Sequence, residues 1–494
     1  MIGLIAGLVG FVALLIWPIH ASAPRIGSMA AIAALMAVWW VSEAIPLAAT
    51  ALLPLLLFPL LGITTPGAVA ATYINSTIFL FIGGFLIAIA MERCNLHRRL
   101  ALNIVRFVGS GPRALVGGFT LASAFLSMWI SNTATALMML PIGMAVVGKV
   151  EEQVGGTKAR PLATAMMLAI AYGCSVGGLA TLIGTPPNLA LRRIFNIGFP
   201  GAPKVTFGGW LVIGVPVAAV MLAVVILLLT RVFFRFDDEL RVDPEIIAEE
   251  RRRLGALEID EAIVLIVFSI TALLWTFRRP LPLGALTIPG WEQLLGGRLR
   301  VDDATVAIGM SLVLFLIPSR KRPGEGLLAV DSFRHVPWEI VLLFGGGFAL
   351  AAGFEVSGLA KLIGEQLRAM SGVAPIAVVA AICLVMTFLT ELTSNTATAQ
   401  LVLPILASMA VAMQLHPLLL MIPATLSASC AFMLPVATPP NAVVFGSGRV
   451  RIGEMARVGL ALNLIGVVVI TGLLFALAAA LGIAPGLTPT WLPH

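Results

Sequence analysis

Long apolar segments separated by short polar ones run along almost the whole chain. Most approach the roughly 20 residues that an α-helix needs to cross a bilayer, and none alternates with a period of two. The pattern predicts eleven membrane-spanning helices, at residues 2–17, 28–45, 47–61, 76–91, 161–179, 207–230, 260–277, 303–318, 338–354, 417–434 and 455–483. Two further apolar stretches, 114–148 and 374–413, are each interrupted by the letters SNTAT. Such interruptions predict two re-entrant helix–turn–helix hairpins.

The second half of the chain repeats the first. At a constant offset of 263 residues, seven positions in and just after the fourth predicted span match seven in and just after the ninth: Phe81, Gly83, Gly84, Phe85, Ala88, Glu92 and Leu96 match Phe344, Gly346, Gly347, Phe348, Ala351, Glu355 and Leu359. The letters TPPN occur at 185–188 and again, 253 residues later, at 438–441. An odd number of predicted spans separates the two copies, so the sequence predicts two inverted repeats.

Composition excludes a water-soluble fold. The 494 residues are 59% hydrophobic and 11% charged, with a mean hydropathy of +1.04, whereas soluble domains have roughly 45–50% apolar and about 25% charged residues. We therefore expect an all-α polytopic membrane protein. The letters Ala21-Ser22-Ala23 resemble a signal-peptide cleavage site, but no basic residue precedes Phe11, so we keep the first segment as a span.

The net charge of +7 reflects orientation and does not indicate nucleic-acid binding. Loops that follow an even number of predicted spans carry 21 Lys and Arg residues, against 10 for the other loops. Basic residues favour the cytoplasmic side. We expect a multi-pass protein of the cell's inner (plasma) membrane, with Met1 in the cytoplasm and His494 outside.

The SNTAT and TPPN segments carry the candidate chemistry. In each SNTAT, Ser and Asn precede an Ala-rich helix start, which would leave backbone N–H groups and a positive dipole end for an anion. In TPPN, Thr can cap a helix that begins with Pro, and the broken helix before it frees carbonyl groups. These segments predict a binding site for an anion.

Charge balance then predicts cations at the same place. The stretches 114–148, 174–191 and 374–413 contain no Lys, Arg or His, and a divalent anion in a low-dielectric site needs compensation. Hydroxyl, amide and carbonyl oxygens without a carboxylate cage suit sodium ions. We infer a cation-coupled anion carrier in which Asn132 and Asn395 contact both anion and cation.

Other polar residues receive structural interpretations. We interpret Glu391, inside the second hairpin, as a hydrogen-bonded carboxyl that holds the hairpin, the alternative being a proton or cation partner. Glu43, Glu92 and Glu355 are expected to pair with Arg. Four cysteines are expected to be packing residues and five histidines lie in loops or near span ends: Cys94, Cys174, Cys383, Cys430, His20, His97, His335, His416 and His494. No HExxH or GxSxG motif occurs, so we expect no enzyme, whereas an anion channel remains an alternative.

The doubled SNT and TPPN motifs, with WWVSEAIP at 39–46, resemble the divalent anion/sodium symporter family over nearly the whole chain. The resemblance implies an elevator-type homodimer embedded in membrane lipid. Residues 1–113 and 231–373 would form the scaffold, and residues 114–230 and 374–494 the moving transport parts. Surface helices near 92–110 and 355–370 would link them.

The resemblance also implies a set of site residues. The substrate carboxylates would meet Ser131, Asn132, Thr133, Ser394, Asn395, Thr396, Thr438 and Pro439. One sodium ion would lie among Ser127, Ser131, Asn132 and Gly184, and the other among Thr390, Thr393, Asn395 and Ala437. Relatives carry a small residue such as Ala at the position of Thr393, a change that matters little if the ligand there is the backbone carbonyl.

The expected activity is sodium-coupled uptake of C4-dicarboxylates such as succinate, malate or fumarate. Sodium-independent dicarboxylate exchange is one alternative, and sodium-coupled carriage of sulfate or citrate is another. Two SNT tips facing one another suit an anion with a charged group at each end.

Overall fold

The chain is almost entirely helical. The computed structural model describes residues 1–17, 23–109, 111–236, 245–283, 286–295, 301–367, 372–487 and 489–492. Its α-helices are α1 Ile2–Ile16, α2 Pro24–Ser42, α3 Leu47–Thr50, α4 Leu53–Leu60, α5 Pro66–Tyr73, α6 Ser76–Arg93, α7 Leu96–Val108, α8 Pro112–Ser127, α9 Asn132–Val154, α10 Gly156–Leu179, α11 Pro186–Gly198, α12 Phe207–Leu227, α13 Glu245–Arg253, α14 Ile259–Thr276, α15 Trp291–Leu294, α16 Asp303–Leu316, α17 Trp338–Ser357, α18 Leu359–Leu367, α19 Pro375–Thr390, α20 Asn395–Ala412, α21 Pro417–Ala428, α22 Pro439–Phe445 and α23 Ile452–Ala478. The interpretations made above for residues 18–22 and for His494 lie outside the described residues.

The helices are those of a multi-pass membrane protein. Among the described residues, nine helices are long and apolar enough to cross a membrane, and five shorter apolar helices accompany them. Each of the eleven predicted spans falls on a helix, with the third divided into α3 and α4. How many of these helices cross the bilayer stays a prediction.

Two boundaries differ from the predicted ones. The polar segment 149–160 is helical except at Gly155, where φ is +81° and α9 gives way to α10. The tenth predicted span ends at Ala428 and not at 434. Its helix cannot continue, because the N–H groups of residues 432–434 donate to the Glu391 carboxyl and not to carbonyls one turn earlier.

The prediction of a purely helical fold is wrong in one detail. Strands β1 Leu281–Leu283 and β2 Leu286–Ile288 form a short antiparallel hairpin in which Leu281 pairs with Ile288. Each strand has three residues, too few for alternation of polar and apolar positions to stand out from the surrounding apolar sequence.

The predicted surface helices appear as separate elements, α7 and α18. Asn95 ends the helical path after α6 with φ of +61°, and Gly358 does so after α17 with φ of +84°. These two left-handed residues are 263 positions apart, the offset of the repeated motifs. Residues 368–370 of the second predicted surface helix lie outside the described part of the chain.

The two halves exchange elements at the centre of the molecule. Helix α11 packs against α20 and α21 of the second half, and α22 packs against α9 and α10 of the first. Helix α10 is buried along its whole apolar length. It approaches α8 closely, since a Cβ on Gly177 would lie 2.2 Å from the Ala124 carbonyl oxygen. A separate apolar cluster packs the segment from α2 through α5 against α17.

The expected pairing of Glu43, Glu92 and Glu355 with Arg is wrong for the described residues, where none of the three forms an ion pair. Arg93, the neighbour of Glu92, pairs instead with Glu325 at 2.8 Å and Asp331 at 2.6 Å. These partners are more than 230 residues away, and local charge spacing gave no signal of them. The four cysteines are buried and free, as predicted.

His416 caps the start of α21. Its Nδ1 accepts the Leu418 N–H at 3.2 Å, and the ring packs against those of Phe195 and Trp491, with centroid distances of 6.3 and 5.3 Å. Burial lowers the pKa of the imidazole to about 4. The cap therefore requires the neutral ring, because a protonated Nδ1 could not accept the bond.

Candidate functional site

The first hairpin brings three predicted ligand residues together. At its tip, the Ser127 hydroxyl donates to Oδ1 of Asn132, and Ser131 caps α9 by accepting the Ala134 N–H at 3.1 Å. A Cβ on Gly178 would lie 2.9 Å from Asn132 Oδ1 and 3.0 Å from the Gly184 carbonyl oxygen. Ser127, Asn132 and Gly184 therefore meet around a position at which only glycine fits.

The second hairpin repeats this arrangement. The Thr390 hydroxyl lies 2.6 Å from Asn395 Oδ1 and 2.7 Å from the Ala428 carbonyl oxygen. Thr390 and Asn395 stand 263 residues after Ser127 and Asn132, so the same contact is built twice. Ser394 precedes α20 as Ser131 precedes α9, but its hydroxyl makes no capping bond. That hydroxyl is free for a ligand.

Thr393 differs from the other predicted sodium ligands because its hydroxyl is already engaged. It donates to the Leu389 carbonyl at 2.8 Å and lies 2.6 Å from the Thr398 hydroxyl. The backbone carbonyl is then the atom of Thr393 that could bind a cation.

The asparagine of each TPPN closes the broken helix before it. Asn188 Nδ2 donates to the carbonyls of Gly178 and Thr181 at 3.1 and 2.7 Å. Asn441 Nδ2 donates to those of Ala431 and Leu434 at 3.1 and 3.0 Å, which stand 253 residues later. These backbone carbonyls of the broken helices, which the sequence predicts to be free, therefore accept hydrogen bonds from the asparagine side chains.

One matched pair of predicted sodium ligands in these segments has carbonyl oxygens that accept no hydrogen bond from the described residues. Among the described residues, no hydrogen bond reaches the carbonyl oxygens of Gly184 and Ala437. Both residues were predicted as sodium ligands, and they are 253 positions apart. Carbonyl oxygens of this kind are ligands that sodium accepts in broken transporter helices.

The TPPN threonines have different roles. Thr438 caps α22 by accepting the Asn441 N–H at 3.3 Å. Thr185 makes no side-chain cap on α11, contrary to the expectation for both motifs, and its hydroxyl lies 3.4 Å from that of Ser429. The broken helices of the two halves are therefore in contact.

Glu391 is the acidic residue at the second tip, and it is held as predicted. Its side chain is 3% exposed. Oε1 accepts the N–H groups of Phe432 at 2.7 Å and Met433 at 2.9 Å and Nδ2 of Asn463 at 2.8 Å, and Oε2 accepts the Leu434 N–H at 3.1 Å. The interpretation as a hydrogen-bonded carboxyl that holds the hairpin is confirmed.

Arg192, the first basic residue after the TPPN at 185–188, lies next to a buried aspartate. Arg192 Nη1, on α11, lies 3.0 Å from Asp303 Oδ2 at the start of α16. This contact lacks hydrogen-bond geometry, whereas Arg278 Nε donates to Asp303 Oδ1 at 2.7 Å. No local sequence pattern indicates this buried cluster, because its members lie in three separate segments.

The oxygen set of the two tips suits a monovalent cation. The described residues contain no group of three or more His, Cys, Asp or Glu that could hold a metal ion. Hydroxyl, amide and carbonyl oxygens remain, and without carboxylates they suit sodium better than calcium or magnesium. Helix starts at both tips add N–H groups that favour an anion.

Comparisons with known proteins agree with this chemistry. The family described as "Sodium:sulfate symporter transmembrane region" matches residues 1–483. Sodium-dependent dicarboxylate transporter SdcS of Staphylococcus saprophyticus is 43% identical over 441 residues, covering 88% of this chain and 83% of the relative. The protein of that name in Staphylococcus aureus NCTC 8325 is 43% identical, with coverage of 88% and 82%.

A solved structure shares the fold. The YdaH transporter of Alcanivorax borkumensis aligns with a TM-score of 0.57, covering 90% of this chain and 98% of the other, at 15% sequence identity. At that identity the likeness concerns the fold alone. With the family match and the relatives at 43% identity, the chain belongs to the divalent anion/sodium symporter family, whose members are transporters and not enzymes.

Proposed function

We propose that this protein is a secondary active transporter that couples the uptake of C4-dicarboxylates to sodium ions. The observation that carries the proposal is the pair of matched tips, Ser127 with Asn132 and Thr390 with Asn395. Each tip lies in a half whose broken helix leaves the carbonyl of a predicted sodium ligand, Gly184 or Ala437, without a donor among the described residues. The names of the SdcS relatives support sodium and dicarboxylates as the transported species.

Two sodium sites and one substrate site follow from this geometry as proposals. The sodium ions would lie among Ser127, Ser131, Asn132 and Gly184 and among Thr390, Thr393, Asn395 and Ala437. The substrate carboxylates would meet the helix starts at Ser131, Asn132, Thr133, Ser394, Asn395, Thr396, Thr438 and Pro439. A dianion with a carboxylate at each end fits two tips better than a single compact anion.

Movement of the site across the membrane is proposed to follow the elevator mechanism. Eleven spans in two inverted repeats would place the hairpins on opposite membrane faces, with Met1 in the cytoplasm. The exchange of α11 and α22 between the halves supports a transport part that moves as one body. The scaffold parts, residues 1–113 and 231–373, would pair two copies into a homodimer in the inner membrane.

Substitution of the two asparagines tests the proposal. Asn132→Ala or Asn395→Ala is expected to abolish both succinate uptake and its sodium dependence in proteoliposomes. Asn103→Ala, on the exposed side of α7, is the matched control and should transport normally. Wild-type uptake with unchanged sodium dependence in either tip variant would contradict the shared site.

The alternatives give different results in the same preparation. Sodium-independent counterflow into vesicles preloaded with dicarboxylate would indicate an exchanger. Preferential competition by sulfate or citrate over malate and fumarate would change the assigned anion. Currents that grow with driving force without saturating would indicate a channel.

A further inference from the structure

The two proposed cation sites differ in one charged position. The residue after the ligand hydroxyl is Met128 at the first tip and Glu391 at the second, and the two positions are 263 residues apart. Both residues join their hairpin to the broken helix of the same half. They do so with different chemistry.

The first hairpin is joined by neutral groups. The Thr181 hydroxyl donates to the Met128 carbonyl at 2.5 Å, and Trp210 Nε1 donates to the Leu179 carbonyl at 3.0 Å. These bonds link the hairpin tip, the segment after α10 and helix α12. No ionised side chain takes part in them.

The second hairpin uses the corresponding positions around a carboxylate. Phe432, Leu434 and Asn463 stand 253 residues after Leu179, Thr181 and Trp210, and all three donate to Glu391. The N–H of Met433 is the fourth donor. The three corresponding positions therefore surround the Glu391 carboxylate in the second half and only neutral groups in the first.

Glu391 carries that charge without a basic partner. It accepts four N–H groups and donates to none, which is the pattern of an ionised carboxyl, and no ion pair reaches it among the described residues. Three of these donors reach Oε1 and one reaches Oε2, so the carboxyl is fixed by the segment after α21 and by α23. Glu391 is thus a positioning residue whose charge acts on a neighbouring cation.

We propose that Glu391 makes the two sodium sites unequal. The site among Thr390, Thr393, Asn395 and Ala437 binds its ion more tightly and fills first, because a buried negative charge lies next to Thr390 in a low-dielectric surrounding. The site at Ser127 and Asn132 fills second. This order rests on the proposed sodium coupling. Binding of the second sodium ion then determines the sodium concentration at which substrate binds.

Sodium binding to the purified protein without substrate tests the order. Titration with ²²Na⁺ at constant ionic strength, with choline as the replacement cation, should show two phases at least about tenfold apart in affinity. Glu391→Gln should weaken the tighter phase by about tenfold or more. Glu391→Asp keeps the charge with a shorter reach and should restore most of the affinity.

Matched variants separate charge from the loss of a connection. Thr181→Val removes the corresponding bond in the first half, and with it the bond from the Gly184 N–H, without changing any charge; it should leave the tighter phase unchanged. Thr390→Ala should weaken the tighter phase and Ser127→Ala the weaker one, which tests the order even if the Glu391 variants fail to fold. Two equal phases, or a tighter phase lost in Ser127→Ala, would overturn the inference, whereas no sodium binding at all would overturn the proposed function.

Discussion

The two TPPN asparagines offer a test of whether the halves are built alike. Asn441 is fully buried, and its Nδ2 donates to two carbonyls while its Oδ1 has no partner. Asn188 is also fully buried and has the same bonds and the same unpartnered Oδ1. Replacing either residue with Ala therefore removes two hydrogen bonds and one unpartnered oxygen, the same change in each half.

The expected loss is about 2–5 kcal/mol for each variant. Each substitution leaves two buried carbonyls without those donors, and an unsatisfied buried group costs about 1–3 kcal/mol. Because the two sets of bonds match in number and length, the two variants should agree to within about 1 kcal/mol. Any large difference would have to come from the surroundings.

Denaturant unfolding in detergent micelles, followed by tryptophan fluorescence, measures these changes. Asn103→Ala is the control, since Asn103 is exposed on α7 and its replacement should change stability by less than about 0.5 kcal/mol. A loss below about 0.5 kcal/mol in Asn441→Ala would refute the reasoning. So would a difference above about 2 kcal/mol between the variants.

Three further predictions concern a helix cap, a buried ion-pair cluster and a buried histidine. Ser131→Ala should cost about 1 kcal/mol of stability because it removes a helix cap, whereas Ser394→Ala should leave the unfolding midpoint unchanged and still weaken succinate binding. Asp303→Asn should cost about 3–5 kcal/mol, measured by denaturant unfolding, because it leaves buried Arg192 without a carboxylate and takes one of two from Arg278, which keeps Glu292. Arg192→Gln should cost clearly less, because Asp303 keeps Arg278, and equal losses would contradict the geometry. Because the pKa of His416 is lowered to about 4, stability is full above about pH 6.5 and falls as pH drops towards 4. Thermal unfolding of His416→Asn, which keeps a capping side chain, should show a flatter pH dependence across that range.

The features predicted from sequence are those with a local signal. Within an apolar stretch, SNTAT ends one helix because its polar residues interrupt the apolar run. It starts the next helix because Ser is a preferred helix cap. The helices therefore begin at Asn132 and Asn395, as expected. Repetition of these signals at fixed offsets also predicted that the two tips correspond, and Asn132 and Asn395 each contact a hydroxyl five residues earlier.

The features that sequence reasoning missed depend on contacts between distant segments. The partners of Glu391 lie 41 to 72 residues away, and they decide where α21 ends. Arg93 pairs with residues more than 230 positions away, so the expectation that neighbouring glutamates would take the arginines failed. The asparagines of TPPN were assigned no bonds, since a motif does not show which carbonyls it faces.

The most direct test of the central claim is uptake of labelled succinate into proteoliposomes with sodium on the outside only, compared with potassium or choline. We expect succinate to accumulate inside above its external concentration. This accumulation should require the sodium gradient and should disappear when sodium is equal on both sides. Sodium-independent uptake that requires dicarboxylate preloaded inside the vesicles would contradict sodium-coupled uptake. In that case, the assignment of Ser127, Gly184, Thr390 and Ala437 as cation ligands would be wrong.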